Sequence, residues 1–414
     1  MKTFTNYTFH MTTEMVFGRD TESRVGELIR KYGGTKVLFV YGSGSIRKSG
    51  LYGRVAGALN EAGLPFVELG GVKANPLRSG VDEGIRLAQS EGADFFLAAG
   101  GGSVIDTAKA IAVAAANGGE YWSFFNGREP KAMAPVGAIN TIAAAGSETS
   151  GSSVIVDDVD TGLKKSLFWD VCRPAFAIMN PELTYTVPAY QTAAGAADIF
   201  AHTFMRFFNP DASYLGDEYC IGTLRTVVKF APVAVAEPEN YEARAELMAA
   251  AAFSHNDLTG IGRLRVKGGG EHNLEQQLSA HYDTAHGAGL AVMMPAYLRY
   301  MVRHGTEEQV ERVAYLGARV FGIEPADTGV RAVSGQSQGI AGTGVSKAVA
   351  EAGIAAFTAW LRSIGMPTTL RELPLPEDEA GAAAERCIEG NGGRIARFME
   401  IDAEGVREIY RDAW

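Results

Sequence analysis

The chain has 414 residues, with 38 Lys and Arg against 48 Asp and Glu (net charge −10) and 46% hydrophobic residues. That length predicts two domains at the usual ~100–200 residues each. The acidic balance, with no long Lys/Arg run, offers nucleic-acid phosphates nothing to bind, and no run of roughly eighteen apolar residues stands out as a bilayer span. The opening MKTFTNYTFHMTTEMVFGRD alternates polar and apolar residues and lacks the basic head and apolar run of a secretory signal, so cytoplasmic residence is expected. Cys172, Cys220 and Cys387 are odd in number and far apart, which predicts buried thiols and neither a disulfide framework nor a CxxC metal site.

In chain order, KVLFVYG at 36–42 reads as a strand and IRKSGLYGRVAGALNEAG as helical. PFVEL at 65–69 is a second strand, 79–91 a second helical stretch and ADFFLAAG at 93–100 a third strand. This alternation predicts a βαβ arrangement with a parallel sheet. Past Pro188 the spacing turns to three and four, as in EARAELMAAAAFSHN and SKAVAEAGIAAFTAWLRSIG. The expectation is an α/β Rossmann-like domain over 1–188 and an all-α domain over 189–414, hinged at TYTVPAYQ (184–191). The Gly/Ser-rich VSGQSQGIAGTG at 333–344 has no hydrophobic period and is read as a mobile surface loop.

Two glycine clusters follow predicted strands and open predicted helices: Gly42-Ser43-Gly44-Ser45 and Gly100-Gly101-Gly102-Ser103. Backbone N–H groups at a helix start bind phosphate, and glycine also serves plain strand-to-helix turns. Arg47 stands where a full dinucleotide fingerprint has its third glycine. Three consecutive glycines before a helix carrying Asp106 and Lys109 exceed what a turn requires. Glu68, at the end of PFVEL, is near the offset of a ribose-binding acid, or is an ordinary strand-end charge.

Asp198 and His202 are four apart in the helical stretch AAGAADIFAHTFMRFF, hence on one face. A hydrogen-bonded helix-surface pair explains them as well as a shared ion does. His272, His281 and His286 follow in a second window, although the chain holds only seven histidines. On one straight helix His272 and His286 would stand about 21 Å apart at roughly 1.5 Å per residue. Sharing an ion therefore requires a chain turn, and HYDTAHG at 281–287 offers one. Three imidazoles and a carboxylate suit Fe(II), Zn, Mn or Co with an open position. His10, His255 and His304 lack such company and are read as structural or surface residues.

From EMVFGRD through YGSGSIRKSG, AAGGGSVIDTAKAIA, AAGSE, RPAFAIMNPELTYTVP, ADIFAHTFMRFF and HNLEQQLSAHYDTAHGAGLAVMMP, the chain resembles the iron-containing alcohol dehydrogenases, in particular the butanol dehydrogenase-like aldehyde reductases. The resemblance implies that Asp198, His202, His272 and His286 hold the metal. It implies that Gly101, Gly102 and Ser103 hold the cofactor pyrophosphate, that Asp106 lies near the nicotinamide, and that Thr141 and Lys164 (or the adjacent Lys165) touch the cofactor; Gly42 and Gly44 are cofactor-binding candidates from the glycine turn itself. Ser45 stands where such relatives face a 2′-phosphate, so NADP(H) is expected, with NAD(H) the alternative.

There are departures too. Gln276 replaces a family histidine four residues past His272, Ala143 and Ala145 replace Pro and Thr, and Asn180 replaces Asp before Pro181. The reaction that the resemblance implies is hydride transfer between NADP(H) and small primary alcohols or aldehydes, with no membrane partner and a homodimer or larger assembly. A dehydroquinate synthase-like lyase would need basic residues for a phosphorylated acid, where the metal motifs here are apolar. A non-catalytic nucleotide sensor would not need four ligands.

Overall fold

The computed structural model describes residues 4–265, 269–282, 284–328, 343–376 and 379–414. Eight strands fall in the first half: β1 (Glu14–Phe17), β2 (Val37–Gly42), β3 (Phe66–Val72), β4 (Phe95–Gly100), β5 (Val136–Asn140), β6 (Ser152–Val156), β7 (Lys164–Phe168) and β8 (Phe176–Met179). Between them lie α1 (Val25–Lys31), α2 (Ser45–Lys48), α3 (Leu51–Glu61), α4 (Arg78–Glu91) and α5 (Gly102–Ala116). Six strands form one parallel sheet in the order β1-β8-β5-β4-β2-β3. β6 and β7 make a separate antiparallel hairpin that the local sequence pattern does not single out.

Both faces of the sheet are covered, which is why its strands read as continuous apolar runs. Phe39, Tyr41, Phe95 and Leu97 pack with Leu28 of α1 and Leu51 and Val55 of α3. The alternate residues Leu38, Val40, Phe96 and Ala98 pack with Val81 and Ala88 of α4 and Ile105 and Ile111 of α5. Each fully buried Phe contributes about 1.5–3 kcal/mol. The sheet grows from β2 to β3 on one side and to β4 and β5 on the other. The adjacent carboxyl ends of β2 and β4 therefore form a topological switch point, where doubly wound sheets bind ligands. Both glycine loops leave from there. β3 runs on to Val72, so Glu68 lies within the strand and not at its end.

Beyond Pro188 the chain is mostly helical: α6 (Ala189–Phe207), α7 (Tyr214–Ala236), α8 (Tyr241–His255), α9 (Gly270–Tyr282), α10 (His286–His304), α11 (Glu307–Phe321), α12 (Thr343–Ser363), α13 (Glu379–Gly390) and α14 (Ala403–Ala413). A short antiparallel ribbon, β9 (Arg394–Ala396) with β10 (Glu400–Asp402), interrupts it. The expected loop at 333–344 lies outside the described residues except for the two that open α12. α10 packs on α6, α9, α12 and α14. One helix among the described residues, α7, is long and apolar enough to cross a membrane by length and composition. It also packs on α6 and α11, and its Asp217 is paired with Arg263 and Arg312.

By internal contacts the chain forms two compact units, with the main division at Pro188/Ala189. The segment Glu237–Asp257, which contains α8, returns to the first unit. The cause is apolar packing: Met248 and Ala252 of α8 bury against Ala177 and Met179 of β8.

Candidate metal centre and cofactor loops

The metal candidates converge within the helical unit. Asp198 and His202 sit one turn apart on α6, both buried, with His202 Nε2 3.4 Å from Asp198 Oδ1. α9 ends at Tyr282 and α10 starts at His286, so the chain reverses where HYDTAHG suggested. That reversal leaves His286 Nε2 4.0 Å from Asp198 Oδ1. Gly287 makes the approach feasible, because a Cβ there would overlap the Ala194 carbonyl oxygen of α6. The His272 ring centroid is 4.9 Å from that of His202 and 5.5 Å from that of His286. Ligand atoms of Asp198, His202 and His272 all lie within 4.8 Å of one another.

Metal–nitrogen and metal–oxygen bonds of about 2.0–2.2 Å place tetrahedral donors roughly 3.3–3.5 Å apart. The His202–Asp198 spacing of 3.4 Å matches that, the His286–Asp198 spacing of 4.0 Å is wider, and the donor set of one carboxylate and three imidazoles fits a first-row dication. His272 Nε2 is buried with no hydrogen-bond partner among the described residues. A buried polar atom in that state is costly unless something binds it. His281 lies outside the cluster, on the last turn of α9, where partial desolvation and the nearby Arg386 lower its pKa.

The cofactor candidates gather in the α/β unit at the ends of β2, β4 and β5. Tyr41 and Ala99 are paired across β2 and β4, which brings the Gly42–Ser45 and Gly100–Ser103 turns side by side. Thr141 follows β5, and its N–H donates to the Gly100 carbonyl at 3.2 Å. Gly101 is the N-cap of the fifteen-residue α5 and supplies no side-chain cap. The N–H groups of Gly102 and Ser103 at the helix start are thus available to an anion, favoured there by the helix dipole. Two of the three glycines also have a packing reason: a Cβ on Gly100 would come 2.6 Å from Val104, and one on Gly101 2.7 Å from Ile142. The Ser103 hydroxyl donates to the Ala74 carbonyl. Asp106, expected at the nicotinamide end, points inward: it accepts from Ser147 Oγ at 2.5 Å and from the Val154 N–H at 2.9 Å.

The β6–β7 hairpin packs on α5 and carries Lys164 opposite Val156. The neighbouring Lys165 donates to Asn126 Oδ1 and lies over the Trp122 ring, and strand alternation turns Lys164 to the other face. Ser45, exposed, opens α2. Glu68 is committed, accepting from Tyr41 at 2.6 Å, Tyr52 at 2.7 Å and Arg47 at 2.9 Å.

Residues 12–181 match the family pattern described as iron-containing alcohol dehydrogenase, and 192–414 match the C-terminal pattern of the same family. The chain is 33% identical over 413 residues to NADH-dependent butanol dehydrogenase A of Clostridium acetobutylicum, covering 99% of this chain and 100% of that one. The chain belongs to the iron-containing alcohol dehydrogenase family. It is also 30% identical over 414 residues to the NADPH-dependent aldehyde reductase YqhD of Escherichia coli, covering 99% of each. The crystal structure of NADH-dependent butanol dehydrogenase A from Thermotoga maritima superposes with a TM-score of 0.87 at 34% identity over the whole of both chains. This family of oxidoreductases pairs iron with a nicotinamide cofactor, used as NADH or NADPH by different members, and acts on alcohols and aldehydes.

In this alcohol dehydrogenase the loop from Ala143 to Ser152 is held from several directions by residues whose roles no sequence pattern indicates. The buried Lys109 ammonium donates to the carbonyls of Ser147 (2.6 Å), Ser150 (2.9 Å) and Ser152 (2.8 Å). Burial pulls its pKa down to about 8, against the pull of Asp106. His255 Nδ1 lies 2.7 Å from the Ala145 carbonyl, and Thr149 Oγ1 donates to the Ala252 carbonyl at 2.8 Å. Ser147, pinned between Asp106 and Lys109, has its Cβ 3.8 Å from where a Gly102 side chain would begin. The loop is therefore a fixed wall beside the start of α5. Glu148 within it is fully buried, and its pKa is pushed up by burial to about 7. Two further carboxylates that sequence reasoning missed, Glu271 and Glu275, touch the imidazoles of His272 and His286. Their spacing from His272, one residue before and three after, was the available signal.

Proposed function

We propose that this chain interconverts small primary alcohols and aldehydes at a metal held by Asp198, His202, His272 and His286, with NADP(H) as the preferred hydride carrier. The single observation behind this reading is the gathering of three imidazoles from α6, α9 and α10 around the Asp198 carboxylate of α6. When bound, the metal, preferentially Fe(II), supplies a Lewis acid for the substrate oxygen, and the nicotinamide supplies or accepts the hydride. Asp198 offsets one metal charge while the neutral imidazoles leave the remainder available to polarise an oxygen. The uncapped first turn of α5, at Gly101, Gly102 and Ser103, binds the pyrophosphate, and the wall carrying Ser147 fixes its position. Gly42 and Gly44 shape the neighbouring turn, and Thr141 and Lys164 add polar contacts to the cofactor.

The preference for NADP(H) is supported at Ser45: the turn 43–49 has no carboxylate, and Glu68, the candidate ribose-binding acid, is engaged by two tyrosines and Arg47. NADH-dependent relatives at 33% identity favour the second reading, NAD(H). The deciding experiment is oxidation of NADPH and of NADH with butyraldehyde by the Fe(II)-loaded protein. A higher kcat/KM with NADPH, reversed in Ser45→Asp, supports the first reading, and the opposite order in the parent supports the second.

Further parts of the proposal are cytoplasmic residence and self-association. The first fits three buried, unpaired cysteines. The second fits exposed Phe9, Met11 and Phe17 along the edge strand β1 and the segment before it. Light scattering on the eluting protein is expected to give at least twice the 44.0 kDa chain mass.

A further inference from the structure

His272 and His286 each offer two ring nitrogens, and a metal site works only if the correct one faces the ion. In both, the other nitrogen meets a buried carboxylate: His272 Nδ1 lies 2.8 Å from Glu271 Oε1, and His286 Nδ1 contacts Glu275 Oε2. Glu271 is 1% and Glu275 0% exposed, so neither carboxylate has water as a cheap alternative partner. An ionised carboxylate only accepts. Each Nδ1 therefore carries the hydrogen, which leaves a lone pair on His286 Nε2, 4.0 Å from the Asp198 oxygen, and one on the buried His272 Nε2, which has no hydrogen-bond partner among the described residues.

Two glycines make room for these carboxylates. A Cβ on Gly289 would lie 2.7 Å from Glu275 Cγ and Oε1, and one on Gly269 would overlap the Glu271 carboxylate. Gly269 and Gly289 are thus explained by the acids they accommodate.

We infer that Glu271 and Glu275 are positioning residues that fix the Nε2-facing tautomers of His272 and His286 and so set the metal affinity of this chain. The inference rests on the metal site proposed above. Partners of this kind hold the ring orientation and raise the basicity of the ligating nitrogen, and their loss costs about 10–100-fold in metal affinity. The two acids act separately, because each serves one histidine.

The test is a chelator competition that measures Zn(II) dissociation constants for the parent, Glu275→Gln, Glu271→Gln and Gly289→Ala, together with the visible spectrum of the Co(II)-loaded proteins and the dissociation constant for NADPH. Each variant is expected to bind Zn(II) about 10–100-fold more weakly, with an altered Co(II) spectrum and unchanged NADPH binding. Gly289→Ala retains every polar group and is expected to weaken binding only by displacing Glu275. If Glu275→Gln does not fold, Glu271→Gln and Gly289→Ala carry the same expectation. Folded variants binding Zn(II) within about twofold of the parent, with its Co(II) spectrum, overturn the inference alone. A parent that binds no metal overturns both the inference and the proposed site.

Discussion

At the residue scale, the site turns on His272, whose buried Nε2 has no hydrogen-bond partner among the described residues. Replacing His272 by Ala removes one of three imidazoles facing Asp198 and frees the Glu271 carboxylate from its partner. The expected outcome is loss of metal and of turnover with NADPH binding within about twofold of the parent, read by metal analysis and cofactor fluorescence quenching. Glu148 gives a separate prediction in the α/β unit. Its pKa rises from an ordinary 4.5 to about 7 because burial penalises the charged form. The unfolded chain thus releases this proton between pH 4.5 and 7 while the folded chain holds it. Stability from this group is fully present below 4.5 and is lost as pH rises to about 7, a change of roughly 3 kcal/mol. Glu148→Gln does not titrate, so its melting temperature relative to the parent is expected to climb between pH 5 and pH 7. A pH-independent difference would contradict the assignment. For Lys109, replacement by Met leaves three carbonyl oxygens and the Asp106 carboxylate without a buried cation. The expected cost is about 3–5 kcal/mol, visible in denaturant unfolding, and cofactor KM should rise more than kcat falls because the wall bearing Ser147 loosens.

At the scale of elements, the break between α9 and α10 makes the metal site, and the contact of α10 with α6 aligns it. Gly287→Ala tests that contact. The added methyl meets the Ala194 carbonyl of α6, so α10 must move. Overpacking of this kind costs about 1–3 kcal/mol, and the expected readout is a lowered melting temperature of the metal-free protein with a further loss of metal affinity. Much of this was legible beforehand. The strands at 36–42 and 93–100, the glycine turns after them and the forced reversal between His272 and His286 all derive from local pattern plus helix geometry. The return of α8 to the first unit was not legible, since three-to-four spacing shows that a helix has an apolar face and not which neighbour covers it. The β6–β7 hairpin escaped notice because its strands, SSVIV and KKSLF, are short and half polar. Asp106 and Lys109 were visible as residues, but their inward roles depend on where the chain between 147 and 154 folds back, which no local pattern encodes. Glu271 and Glu275 were hidden in the same way, as charges in a helix whose buried face was unknown.

At the scale of the molecule, ligands that bind only the folded chain stabilise it by mass action. Removing the metal with a chelator is expected to lower the melting temperature of the parent and to leave that of His272→Ala unchanged, and adding NADPH should raise both. Failure of the chelator to shift the parent would mean that the four side chains hold nothing tightly. The most direct test of the central claim is an anaerobic titration of the metal-free protein with Fe(II), monitoring NADPH oxidation by butyraldehyde at each addition. The expected result is activity that climbs linearly and breaks at one equivalent per chain, with His272→Ala inactive throughout. Full activity before any metal is added, or none at any level of Fe(II) with either nicotinamide, would contradict it.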